Sequence, residues 1–227
     1  MGRLSEYNNN YRTSSTIDKG IIQQIKETFK ANCINLIIEG YNKYLNDNEK
    51  LFTIDEPTIT AGLYNHIENQ IYLTDIPCAI IPEYTDAIRK GRIKPKKAKK
   101  YDLCFIHFQL KPSIYLGVEA KLLVEDNYKN KNAKILVAEY IEDKGMGKYI
   151  NNIYEKEGLM LGYVIQGKSS NIVEKINLKI TEAYTLNDIL KHTNKFHKTE
   201  PYICISNHDR TKKLLIHIFL NFEQLCN

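Results

Sequence analysis

Residues 113-SIYLGVEAKLLVE-125 carry two patterns in one run. The even positions Ile114, Leu116, Val118, Ala120, Leu122 and Val124 are all apolar, while the odd positions include Gly117, Glu119 and Lys121. Alternate residues of a strand project to opposite faces of a sheet. The spacing therefore predicts a strand with one buried face, and on the other a carboxylate and an amine two residues apart, pointing the same way. So apolar a strand has no packing reason to carry that pair.

Just upstream, 101-YDLCFIHFQL-110 is a second apolar run, and Lys111-Pro112-Ser113 between the two has turn chemistry. The two runs are expected to pair as an antiparallel hairpin. If Leu110 opposes Ser113, Asp102 falls opposite Lys121. A slip of one or two positions still leaves Asp102 beside Glu119 or Lys121. Asp75 and Asp86 are the alternative acids in this part of the chain. Two carboxylates and one amine thus converge at the end of a sheet. Hard oxygen ligands of this kind hold Mg²⁺ and leave positions for water and a phosphate oxygen. The metal polarises the phosphoryl group and acidifies a bound water, which a lysine can orient or deprotonate while offsetting charge on phosphorus.

Asp102 followed by Glu119-Ala120-Lys121 at the end of an apolar hairpin strand resembles the D…(D/E)xK signature of the PD-(D/E)XK nucleases, which share the restriction-endonuclease-like fold. The resemblance covers roughly residues 55–167 and implies an α/β architecture. Its core would be α-β-β-β-α-β, a mixed β-sheet flanked by helices, here with an extra N-terminal helix and C-terminal strands. It implies an Mg²⁺-dependent deoxyribonuclease, with Mn²⁺ as a substitute, leaving a 5′-phosphate. Asp102 and Glu119 would bind metal and Lys121 would assist the attacking water. A further acid from the preceding helix would be Glu56 or Glu68, with Glu56 favoured at the helix mouth. Tyr101 stands where the family name has proline. Such nucleases are common in restriction and antiviral defence, often beside a partner ATPase or sensor subunit, and a homodimer suits a double-strand cut.

A second E-x-K, Glu142-Asp143-Lys144, lies in a polar helical stretch with no apolar alternation and reads as a solvated face. The run 89-RKGRIKPKKAKK-100 holds eight cations (Arg89, Lys90, Arg92, Lys94, Lys96, Lys97, Lys99 and Lys100) and no acid, against a net charge of +5. Everything else is therefore mildly acidic, and the patch immediately before Asp102 is placed to contact DNA phosphates. In 145-GMGKY-149 the glycines break a helix, and Lys148 falls where a polar residue can touch the site and DNA. The cluster 206-SNHDR-210 reads mainly as a turn, with His208 or Arg210 able to reach DNA. His66, His107, His192, His197 and His217 lack ligand-like spacing and read as structural.

At 227 residues one domain, 1–227, is expected, with a polar, flexible arm over 1–16. Helical periodicity runs from an Asp18 cap through Ile22, Ile25, Phe29, Cys33, Leu36 and Ile37. A second helix starts at Asp55-Glu56-Pro57 and carries Ile59, Leu63 and Ile67. Strands are expected over 71–81, 101–110, 158–167, 201–206 and 213–222, and helices over 133–156, with the glycine break, and about 170–192. Five widely spaced cysteines without a CxxC argue for buried thiols rather than disulfides or zinc. The N-terminal residues lack a secretory core, the Met-Gly start lacks the myristoylation hydroxyl, and no run is long enough to span a membrane, so a cytoplasmic protein is expected. The competing functional expectation is a catalytically inactive nucleic-acid-binding module on the same fold.

Overall fold

The second helix shows how local chemistry sets an element boundary. In the computed structural model, which describes residues 19–47, 50–51, 53–84, 100–110, 113–154, 158–183, 185–194 and 201–226, α2 spans Glu56–Tyr72. Asp55 caps it by accepting the Thr58 amide at 2.8 Å, and Pro57 occupies the first turn, where its missing N–H costs nothing. Ile59, Leu63 and Ile67 are fully buried on one stripe. α1, Lys19–Asn46, buries Phe29, Cys33, Leu36 and Ile37 with Tyr41 and Tyr44. Ile22, expected in the core, is exposed with Ile21 in the first turn of that helix. The arm over 1–16, Asp18, His197 and all of the basic run except Lys100 lie outside the described residues.

The strand expected over 71–81 is corrected. Ile71 follows Ile67 by four residues and packs on the same core, so the helix continues to Tyr72. The strand β1 begins only after Pro77, at Cys78, and runs to Tyr84. β2, Tyr101–His107, and β3, Ile114–Val124, form the antiparallel hairpin. Leu103 pairs with Val118 and Cys104 with Gly117, so continuing the register sets Asp102 beside Glu119 rather than Lys121. β2 stops at His107, and the wider connection shifts the expected pairing by two residues. Two is the period of the pleat, so every side chain keeps its face.

α3, Ala133–Ile141, and a short α4, Gly147–Ile150, lead into β4, Gly158–Gln166, which lies parallel to β3. The helix expected to reach 192 ends earlier: α5 is Ser169–Ala183. Asp188 Oδ2 accepts from both the amide (3.0 Å) and the hydroxyl (2.7 Å) of Thr185. That local capping competes with continued helix, and a single 3₁₀ turn, Leu186–Asp188, replaces it. β5 (Lys191–His192), β6 (Tyr202–His208) and β7 (Lys213–Asn221) follow.

The seven strands form one mixed sheet in the order β1-β2-β3-β4-β7-β6-β5. The even face of β3 (Val118, Ala120, Leu122, Val124) joins α1 and α2 in one core. The opposite face packs α3 to α5 through Leu123, Tyr140, Tyr149, Met160, Ile172, Ile176 and Phe219. The fold is thus a mixed α/β sheet flanked by helices. All five cysteines are buried free thiols. Among the described residues no helix is long and apolar enough to cross a membrane.

Candidate active site

β3 outruns β2, and the pairing gap beyond Leu103 is filled by a side chain: Asp102 Oδ2 accepts the Ala120 amide at 2.7 Å. This fixes the Asp102 carboxylate next to Glu119. Glu119 is fully buried. Its Oε1 lies 3.1 Å from Lys121 Nζ and also takes the Lys148 ammonium, while its Oε2 accepts the Tyr154 hydroxyl at 2.9 Å. Lys121 Nζ reaches across to the mouth of α2, donating to Glu56 Oε1 at 2.9 Å, and stands 4.0 Å from Asp102 Oδ2. Glu56, Asp102, Glu119 and Lys121, from α2, β2 and β3, therefore meet at one point.

Of the alternative acids, Glu68 accepts the Tyr64 hydroxyl further along α2, Asp75 is exposed, and Asp86 lies outside the described residues. Lys148 turns inward onto Glu119, its ammonium 5.5 Å from the Tyr154 ring centre. Lys100 makes a 2.7 Å ion pair with Glu83. Its carbonyl contacts the Tyr154 hydroxyl, which ties the last residue of the basic run to the site.

Burial, reinforced by the neighbouring Asp102 charge, raises the Glu119 carboxyl above the usual carboxylate range, against the pull of Lys121 and Lys148. Burial does the same to Glu56, opposed by Lys121 and assisted by Asp102. For Lys121 burial works toward the neutral amine, yet Glu119, Glu56 and Asp102 together outweigh it and its pKa is raised. Lys121 is accordingly a cation at neutral pH. It can orient a water and stabilise negative charge, but it is a poor proton acceptor.

Among the described residues no three His, Cys, Asp or Glu side chains stand at metal-holding spacing; the three carboxylates gather around an ammonium instead. As a donor set they fit a small hard cation. They offer only oxygens, and three carboxyl groups outnumber the two lysines Lys121 and Lys148 beside them. Glu56 and Asp102 keep 29% and 30% of their side-chain surface in solvent. Mg²⁺ suits such a set, one or two carboxylates with waters completing its shell.

The backbone of Gly117 is needed by close approach. A Cβ there would come within 2.2 Å of the Tyr101 ring, which in turn lies 4.1 Å, centre to centre, from Tyr154. Gly117→Ala is expected to cost about 1–3 kcal/mol in urea unfolding, by forcing the Tyr101–Tyr154 stack away from Glu119. An unchanged midpoint would show that the stack gives way freely.

Two features went unseen in the sequence. Tyr154 sits at no spacing that marks it as a site residue. His208, read as part of a turn and able to reach DNA, is buried at the end of β6, and His217 is buried too. They belong to a chain in which His208 Nδ1 bonds Asp188 Oδ1 (2.6 Å), Ser206 Oγ lies 2.8 Å from both His208 Nε2 and His217 Nε2, and Tyr140 bonds His217 Nδ1 (2.9 Å). The Asp-His-Ser order has the residue types of a nucleophilic triad, but Ser206 is 1% exposed and held by both imidazoles, so it presents no nucleophile. A directional set of bonds (Tyr140 to His217 to Ser206 to His208 to Asp188) satisfies every member with both imidazoles neutral. Neither a scan against protein-family models nor searches of curated proteins and of solved structures found a match.

Proposed function

We propose that this chain is a divalent-metal-dependent DNA endonuclease with the restriction-endonuclease-like fold. The observation that carries this reading is the meeting of Glu56, Asp102, Glu119 and Lys121 from three different elements. The order of elements from α2 to β4, helix, three antiparallel strands, helix and parallel strand, supports the fold.

Asp102 and Glu119 would hold Mg²⁺ or Mn²⁺, with Glu56 supporting from α2. When bound, the ion polarises the phosphoryl group and acidifies a coordinated water. Lys121, a cation, positions the attacking water and offsets charge on the phosphorane oxygens. Tyr154 and Lys148 orient Glu119. The cations of the run 89–100 would contact the DNA backbone. Cleavage would leave a 5′-phosphate, and restriction or antiphage defence is the biology such an enzyme serves, as a homodimer or beside a partner ATPase or sensor.

The test is plasmid and linear DNA incubated with Mg²⁺, Mn²⁺ or EDTA, comparing wild type with Glu119→Ala. Metal-dependent cleavage by wild type alone is the expected result. Equal cleavage by Glu119→Ala, or none with either metal, would reject it. Retained DNA binding in the latter case would favour the inactive binding module.

A further inference from the structure

We infer that Lys213 is a positioning residue: its ammonium holds the segment 148–154 so that Lys148 and Tyr154 grip the two carboxylate oxygens of Glu119. This rests on the nuclease reading for its catalytic consequence, but the anchoring itself does not.

Lys213 opens β7 and is 7% exposed. Its Nζ donates to the Tyr149 carbonyl at 3.0 Å, the Asn152 side-chain oxygen at 2.9 Å and the Tyr154 carbonyl at 2.5 Å. These three acceptors lie within six residues of one turn, and an ammonium has three donors to match them. The turn does not close as regular helix: Asn152 takes a positive φ of 55°, and the Tyr154 amide returns to the Lys148 carbonyl at 2.9 Å. The turn's two polar side chains then divide Glu119 between them, Lys148 on Oε1 and Tyr154 on Oε2.

β7 is separated from β3 by β4, and this turn joins Lys213 to Glu119. No contact between Lys213 and the reacting atoms is needed. A buried ammonium that donates to two main-chain carbonyls and one side-chain amide oxygen fixes backbone position. The side chains on that backbone then set the orientation of a metal-binding carboxylate, which catalysis requires to within a fraction of an ångström.

The experiment compares wild type, Lys213→Met and Asn152→Gly. The second variant keeps the positive φ open and removes only an exposed acceptor, so it stays informative if Lys213→Met fails to fold. Hydrogen exchange of the 147–154 peptide should accelerate about tenfold or more in Lys213→Met, and less in Asn152→Gly, with β3 and β4 unchanged. In cleavage assays kcat should fall about tenfold or more while KM for DNA holds. In a background that removes both grips on Glu119, Lys148→Met with Tyr154→Phe, Lys213→Met should add little to the loss of kcat, because it acts through those two contacts.

Unchanged exchange in both variants would overturn the anchor. A further full loss of kcat in the Lys148→Met, Tyr154→Phe background would overturn its action through Glu119. If wild type cleaves nothing, the nuclease reading fails, and exchange alone decides whether Lys213 anchors the turn.

Discussion

Lys121→Met is expected to lower metal-dependent DNA cleavage about 10³-fold or more while leaving DNA affinity nearly intact. The ammonium stands 2.9 Å from Glu56, 3.1 Å from Glu119 and 4.0 Å from Asp102. Methionine keeps the stem and removes the charge. Among the described residues three carboxylates then face one another with Lys148 alone to offset them, which is expected to cost up to about 3–5 kcal/mol of stability. The same change should make folding sensitive to divalent ions. Mg²⁺ or Ca²⁺ entering among those carboxylates binds the native state only, so Tm should rise with ion concentration more steeply in the variant than in wild type. Thermal unfolding at graded Mg²⁺, alongside plasmid cleavage and gel shift, reads both effects. Cleavage that survives the substitution would favour the binding module. A variant whose Tm ignores divalent ions would remove the metal site.

Mild acid should weaken the fold through a different part of the molecule. Burial, with the neighbouring His208, depresses the His217 pKa to about 3. Burial also depresses His208; Lys213 adds to this, while Asp188 and Asp209 oppose it. In the unfolded chain both titrate near the ordinary histidine value, about 6.5. Below that pH the unfolded state binds more protons than the folded one, so stability is present at neutral pH and lost as pH falls. Each histidine still neutral in the fold contributes a slope that grows below about pH 6.5 toward about 1.4 kcal/mol per pH unit. The raised carboxyls of Glu56 and Glu119 act in the opposite direction, since protonation favours the folded state for them. Subtracting a His217→Gln variant isolates the histidine. Urea unfolding between about pH 5 and 7.5 should show wild type losing about 2 kcal/mol more stability than the variant, most of it below about pH 6.5. The slope difference should approach about 1.4 kcal/mol per unit near pH 5. Equal slopes would mean that His217 does not stay neutral in the folded protein.

Local chemistry reached far into this protein where the determinant and its effect lie within a few residues. The alternation of 114–124 assigned which side chains of β3 share a face, because the pleat repeats every two residues, but not that the odd face is buried as well. Asp55 and Pro57 located the start of α2 for a similar reason: a cap and a first-turn proline act within one turn. The same rules failed at Ile71, where an apolar residue suits either a strand or the next turn of a helix. Packing on the core chose the helix.

Convergence of Asp102 with Glu119 followed from a hairpin alone, and it survived a two-residue error in register because such an error preserves faces. What tertiary structure decided is everything that crosses the sheet. The inward turn of Lys148, the hydroxyl of Tyr154 on Glu119, the three bonds of Lys213 and the burial of His208 all join residues tens of positions apart. Strand order β3-β4-β7 brings them together. Spacing along a chain determines which side chains share a face. Which faces meet is set by how the whole apolar surface is buried, and no short stretch contains that.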